Sequence, residues 1–336
     1  MKHNIVFPVL FIAFLSMLAS CARTPEWRRA EGVIWGTEYH IVYHSDKDLA
    51  DSALAQMHRV DMGVSAFNPR SNLSMINAGE TDSVGEEFTE IFMRSKRLNA
   101  ISRGIFDPTV APLVDLWGFG KRTPSDSAPD PESVARMLQR VGIDSCRIDA
   151  HGHIVRKHPD TEFDFSAIAK GYGVDCVAEM LERNGCTDYM VEIGGEVRVG
   201  GRNEHGALWR IQIDDPNTSG IAGHERLAVV ELTDCAVATS GNYRNVRTLA
   251  DGRTVWHTIS PRTGYPVETN IQSVTVVAPK CIVADALATT CMAGSVDEVR
   301  RIMRSYMDVS ALLVVRGRGD SMRFVTFGPD VFNEVR

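Results

Sequence analysis

Between residues 189 and 278 the chain breaks into short strand-like runs at hairpin spacing: 189–199, 209–214, 227–233, 236–239, 255–259 and 273–278. Regular alternation of strand and helix, the mark of a parallel sheet, is missing there, while helix-period segments lie on either side. Helices are expected at 48–60, 88–102, 131–141, 167–184, 284–293 and 296–307, a first strand within 32–43, and a closing hairpin from 311–315 and 322–327. The order predicts an α+β fold: one large domain with a largely antiparallel or mixed sheet flanked by helices. No internal repeat competes with that reading.

The first twenty residues stand apart. Met1-Lys2-His3 is a short basic start, and residues 5–18 form an apolar run broken only by Pro8 and Ser16. A spanning helix needs about 20 apolar residues, so this shorter run ending in small residues reads as a secretory signal. Cys21 directly follows Leu18-Ala19-Ser20, a pattern that resembles a bacterial lipobox, in which the thiol is lipidated and becomes the new N-terminus. A plain signal peptide with a Cys at its cleavage site is the alternative. The expected organisation is a signal peptide at 1–20, lipidated Cys21 and a polar tether at 21–31, and one domain at 32–336. Such a protein would be extracytoplasmic and lipid-anchored to a bacterial membrane, most simply on the periplasmic face of the inner membrane.

Losing Lys2 from the 36 basic residues leaves 35 against 43 acidic ones, a formal charge of −8. No basic stripe could neutralise a row of phosphates, which argues against nucleic acid as a partner. Six further cysteines, at 146, 176, 186, 235, 281 and 291, show no CxxC and sit mostly in apolar settings. Export permits disulfides. The settings suggest mainly buried thiols.

Chemistry-bearing residues gather in the second half. Asp285 and Thr289 are spaced i and i+4, so a carboxylate and a hydroxyl share one helix face. Two hard oxygen donors among small neighbours suit Mg²⁺, which takes few protein ligands and keeps oxygens from phosphate. Taken alone, such a pair more often serves structure, with Thr289 bonding back to a carbonyl. A metal would need a third partner, and the turn at Ser166-Ala167-Ile168-Ala169-Lys170-Gly171 offers backbone donors, a carbonyl oxygen and the Lys170 charge. Asp164 or Ser166 would cap the following helix. His257, where an expected strand runs into the Pro261 to Gly264 turn, is placed to act as a base. The pair Gly194-Gly195 interrupts a strand, as a bulge or as a close approach to a flat ligand. Residues 238–243 lead from a strand into a tight turn whose hydroxyls meet phosphate or merely cap it.

In order, these segments resemble the ApbE family of FAD:protein FMN transferases, from about Gly32 to the C-terminus. The resemblance is carried by Trp35-Gly36-Thr37, Phe106-Asp107-Pro108-Thr109-Val110, Trp117-Gly118-Phe119-Gly120, Ala167-Ile168-Ala169-Lys170-Gly171-Tyr172 and Glu192-Ile193-Gly194-Gly195-Glu196. It continues through Thr239-Ser240-Gly241-Asn242-Tyr243, His257-Thr258-Ile259-Ser260-Pro261-Arg262-Thr263-Gly264 and Ala284-Asp285-Ala286-Leu287-Ala288-Thr289. It implies an extracytoplasmic, Mg²⁺-dependent enzyme that splits FAD at its pyrophosphate, releases AMP and attaches FMN to a Thr or Ser hydroxyl of a target protein. The acceptor would be a subunit of a membrane redox complex.

By motif position, Asp285, Thr289 and the Ala167 carbonyl would hold Mg²⁺, and His257 would be the base. Trp35, Phe67, Ile105, Phe106, Asp107, Asp164, Lys170 and Ile259 would line the FAD site. Trp35 stands where the family usually has Met, and Ala288 gives the metal-binding helix no second acid. Two other readings use the same residues: an FAD pyrophosphatase in which water replaces the acceptor, and a non-enzymatic FAD-binding lipoprotein.

Overall fold

The computed structural model describes residues 24–120, 127–216, 226–241, 246–317 and 321–332. The signal segment and Cys21 lie outside the described residues, as do Asn242 and Tyr243. No helix among the described residues is long and apolar enough to cross a membrane.

The framework is a sheet of eight strands: Glu26–Ile34, Thr37–Ser45, Tyr189–Ile193, Glu196–Gly200, Cys235–Gly241, Ile271–Ala278, Ser310–Arg316 and Met322–Phe327. They lie side by side in sequence order, and every neighbouring pair is antiparallel. The α+β expectation holds, and the sheet is more regular than the sequence suggests. Helices are inserted between strands rather than used as parallel crossovers.

Alternation along the central strands separates two cores. Ala238, Val276 and Leu313 belong to the core under the helices, whereas Val237, Val277 and Leu312 point to the opposite face. A separate hairpin, Trp209–Asp214 with Arg226–Leu232, covers that opposite face through Trp209, Ile213 and Val230. Both faces are thus buried, which explains strands such as Ile271–Ala278 that are apolar almost throughout.

Three expectations need correction. Residues 26–31, read as part of the polar tether, belong to the edge strand Glu26–Ile34, which pairs along its full length with Thr37–Ser45. The domain therefore begins before residue 32. Gly194-Gly195 is not a bulge but the two-residue turn of the hairpin Tyr189–Ile193 and Glu196–Gly200. With φ of +63° and +97°, both turn positions favour glycine. Third, the helix expected from Ala167 starts at Ala169, and neither Asp164 nor Ser166 caps it.

The actual cap comes from 114 residues away and organises the molecule. Helix Ala169–Arg183 lies on strands Tyr189–Ile193 and Glu196–Gly200, and helix Cys281–Met292 lies beside it on Cys235–Gly241 and Ile271–Ala278. The Gly171 amide in the first helix donates to Asp285 Oδ2 at 2.9 Å. Reciprocally, the Cys281 and Ile282 amides at the start of the second helix donate to Asp175 at 3.0 Å each. Each helix N-terminus is thus satisfied by a carboxylate of its antiparallel neighbour. Gly171 makes the approach possible, because a Cβ there would come within 2.8 Å of Asp285 Cβ and 2.7 Å of the Cys281 carbonyl carbon.

Asp175 also pairs with Arg198 at 2.9 Å, with both side chains almost fully buried. Removing one member of such a pair leaves an uncompensated buried charge, so Asp175→Ala is expected to lower folding stability by about 3–5 kcal/mol. Urea unfolding measures this directly; a loss below about 1 kcal/mol would contradict the clamp.

All six cysteines in the described residues are free thiols, five of them buried. Burial pushes Cys291 up to about 12 and Cys176 to about 11, which keeps both protonated and inert.

Candidate active site

At the end of the paired helices, two cavities meet. The larger, about 560 Å³, is lined by Phe106, Asp107, Asp164, Ala167, His257 and Thr289. Ile105 and Ile259 contribute apolar walls to it. The smaller, about 230 Å³, is lined by Trp35 and Lys170 among others, and Ala66, Phe67 and Ser166 border both. Asp285 lies almost fully buried just beneath, at 4 % exposure. Residues spread over 250 positions of sequence are thus brought together.

The metal candidates are displayed in an informative way. Asp285 uses Oδ2 for the Gly171 amide, and its other oxygen accepts no hydrogen bond from a described residue. That same Gly171 amide would, in a continuous helix, serve the Ala167 carbonyl four residues back. Because it is diverted to Asp285, the Ala167 carbonyl takes no backbone amide among the described residues. Ala167 itself lines the larger cavity. Thr289 resolves the ambiguity noted in the sequence: the hydroxyl that bonds back to a carbonyl is that of Thr290, to Ala286 at 2.6 Å. Thr289 Oγ1 instead meets Ser240 Oγ at 3.2 Å and lines the larger cavity.

Among the described residues no three acidic, His or Cys side chains converge as a metal cage. One carboxylate, one hydroxyl and one backbone carbonyl form a sparse oxygen set. That fits Mg²⁺, which retains water and phosphate oxygens, better than Zn²⁺ or a fully protein-caged Ca²⁺.

Lys170 stands between two acids. Its Nζ pairs with Glu196 Oε2 at 2.6 Å, and the charge of Asp285 is near enough to raise its pKa further, against the lowering effect of burial. Burial, reinforced by the Asp285 charge, pushes Glu196 up to about 8 despite Lys170. Burial likewise raises Asp285, which Lys170 and the Gly171 amide pull back down. Glu196 was given no role in the sequence reading, although a signal existed. Glu196 and Arg198 alternate with Val197 and Val199 in a strand buried at every position, the pattern of a strand that buries its charges in ion pairs.

His257 follows the short strand Thr254–Trp256 and faces the larger cavity, its ring meeting Phe119 edge-on at 6.4 Å. The turn after it is pinned by Trp117, whose indole N–H donates to the Gly264 carbonyl at 2.8 Å. The Gly-bounded Trp is therefore a latch for the loop that carries the histidine.

The other candidates divide by what holds them. Asp107 lines the cavity but is saturated, accepting from the Thr109 amide and hydroxyl, the Ile143 amide and Asn99. Its carboxylate shapes the wall from within. Asp164 receives the Ser166 amide at 2.8 Å, ordering the turn that presents Ala167. Phe67, 76 % exposed, stands at the shared rim. Trp35 occupies a hairpin turn at φ +51° and lies against Gly173, where any Cβ would strike the indole. Its indole N–H is buried and donates to no described residue.

An antiparallel sheet carrying two mutually capped helices, with an acid, a hydroxyl and a carbonyl that takes no backbone amide beside a histidine-lined cavity, defines an α+β protein with an oxygen-rich site at the end of its helix pair. Residues 35–313 match the sequence model of the ApbE family, and the chain belongs to that family. It is 37% identical over 291 residues to the FAD:protein FMN transferase of Vibrio cholerae, covering 84% of this chain and 85% of that one. The FAD:protein FMN transferase of Haemophilus influenzae is 34% identical over 300 residues, covering 85% and 86%. The solved flavin transferase ApbE from Vibrio cholerae superposes with a TM-score of 0.79 at 32% identity, over 90% of this chain and 97% of that one. The apo flavinyl transferase ApbE of Pseudomonas stutzeri gives 0.79 at 30% identity, over 93% and 97%.

Proposed function

We propose that this protein transfers the FMN moiety of FAD to a Thr or Ser hydroxyl of a target protein, forming a phosphoester and releasing AMP, in a Mg²⁺-dependent reaction. Family membership and the names of its relatives support the flavin transfer. The observation that carries the chemistry is that Ala167 and Thr289 line the cavity that also holds His257, with the buried Asp285 one helical turn before Thr289 and bonded to the Gly171 amide.

Asp285, Thr289 and the Ala167 carbonyl would hold Mg²⁺, which when bound neutralises phosphate charge and polarises the phosphorus centre under attack. His257 takes the proton of the acceptor hydroxyl as its oxygen attacks the FMN phosphorus. The bond from that phosphorus to the AMP phosphate breaks, and AMP leaves. Lys170, on the wall of the smaller cavity, would place a positive charge by the pyrophosphate. The apolar walls from Ile105, Phe106 and Ile259, with Trp35 and Phe67, accommodate flat rings and exclude water, whose attack would give FMN instead.

Lys2, the apolar run and Leu18-Ala19-Ser20-Cys21 support export, lipidation of Cys21 and a periplasmic, membrane-tethered location. The acceptor would then be an exported segment of a membrane redox complex. Incubation with FAD, Mg²⁺ and a candidate acceptor is expected to add FMN to the acceptor, read by mass spectrometry. Free FMN without labelled acceptor would favour the pyrophosphatase, and unchanged FAD a carrier.

A further inference from the structure

We propose that Glu196 is a positioning residue that holds the Lys170 ammonium away from Asp285, so that carboxylate and cation stand side by side without neutralising each other. The inference rests on the metal-binding reading of Asp285 given above. Lys170 immediately precedes Gly171, whose amide binds Asp285, so the ammonium and that carboxylate are tethered as neighbours. Yet Lys170 forms its ion pair with Glu196 and none with Asp285. Glu196 is fixed for this purpose: its side chain is only 5% exposed, and its strand is locked between two neighbours in the sheet.

Remove the Glu196 charge and Asp285 becomes the nearest opposite charge left to the lysine. A protein ammonium seated on Asp285 would compete with a divalent cation for the same oxygen. With Glu196 and Asp285 both ionised, they and Lys170 sum to −1, and a divalent ion converts that to +1, opposite to an anionic pyrophosphate.

Mn²⁺ binding, followed by the loss of its free electron paramagnetic resonance signal, tests this without reference to turnover. Glu196→Gln is expected to weaken Mn²⁺ binding about tenfold or more, the strength of a charge-assisted pair. Adding Lys170→Met should restore binding, because the competitor is gone. Glu196→Asp, which keeps the charge, should stay near wild type, and thermal unfolding of each variant checks that the fold persists. Unchanged Mn²⁺ affinity in Glu196→Gln overturns the proposal. So does a double variant as weak as the single one, which would make Glu196 a ligand or a structural prop. The parent reading fails separately if Asp285→Asn binds Mn²⁺ like wild type.

Discussion

Asp285→Ala is expected to abolish both metal binding and FMN transfer and, in addition, to destabilise the protein. The two losses have different origins. Asp285 offers the only carboxylate of the sparse oxygen set, so its removal leaves Thr289 and the Ala167 carbonyl with no charge to hold a divalent cation. It also strips the Gly171 amide of its buried acceptor, which costs about 1–3 kcal/mol. Asp285→Asn separates the effects. A carboxamide oxygen still accepts from Gly171 but carries no charge, so stability should largely return while metal binding and transfer stay lost. Mass spectrometry of the acceptor and thermal unfolding read the two quantities independently. Transfer retained by purified, folded Asp285→Asn would remove Asp285 from the metal site.

That double duty explains what the sequence revealed here and what it hid. The Asp285 and Thr289 face was legible because helical spacing is local: i and i+4 share a face whatever else the chain does. The start of the helix was not, because its amides are satisfied by Asp175, about a hundred positions upstream. No local cap was there to be read. Ala169–Arg183 was mis-started for the same reason, since its cap is Asp285 rather than Asp164 or Ser166.

Strand Glu26–Ile34 escaped notice because an edge strand has only one neighbour and little of it is buried, so its composition looks like a tether. Gly194-Gly195 in an apolar run signals a bulge or a turn equally, and only the register of the hairpin decides. Within the site, Lys170 was legible as a charge near a helix start, whereas Glu196 becomes meaningful only once the sheet sets it beside that lysine. Long-range pairs of this kind carry no periodicity.

His257→Ala is expected to slow FMN transfer by about 10²–10⁴-fold, the usual contribution of a positioned base, while FAD binding stays close to wild type. The separation follows from the geometry. The imidazole lines the larger cavity against the edge of Phe119, whereas Lys170, paired with Glu196, lines the smaller one. Its loop is latched independently, by Trp117 on the Gly264 carbonyl, so loss of the ring should leave the loop in place. A residue acting as a base has a further signature. Wild-type transfer should fall on acidification as the imidazole becomes protonated, and that limb should flatten in His257→Ala. Trp117→Phe offers the contrast: the base remains but its latch is lost, so transfer should drop while the acid limb persists. Rapid-quench measurement of AMP release across pH distinguishes the two variants. A His257→Ala enzyme that keeps both the wild-type rate and its acid limb would mean that the acceptor hydroxyl loses its proton to another group.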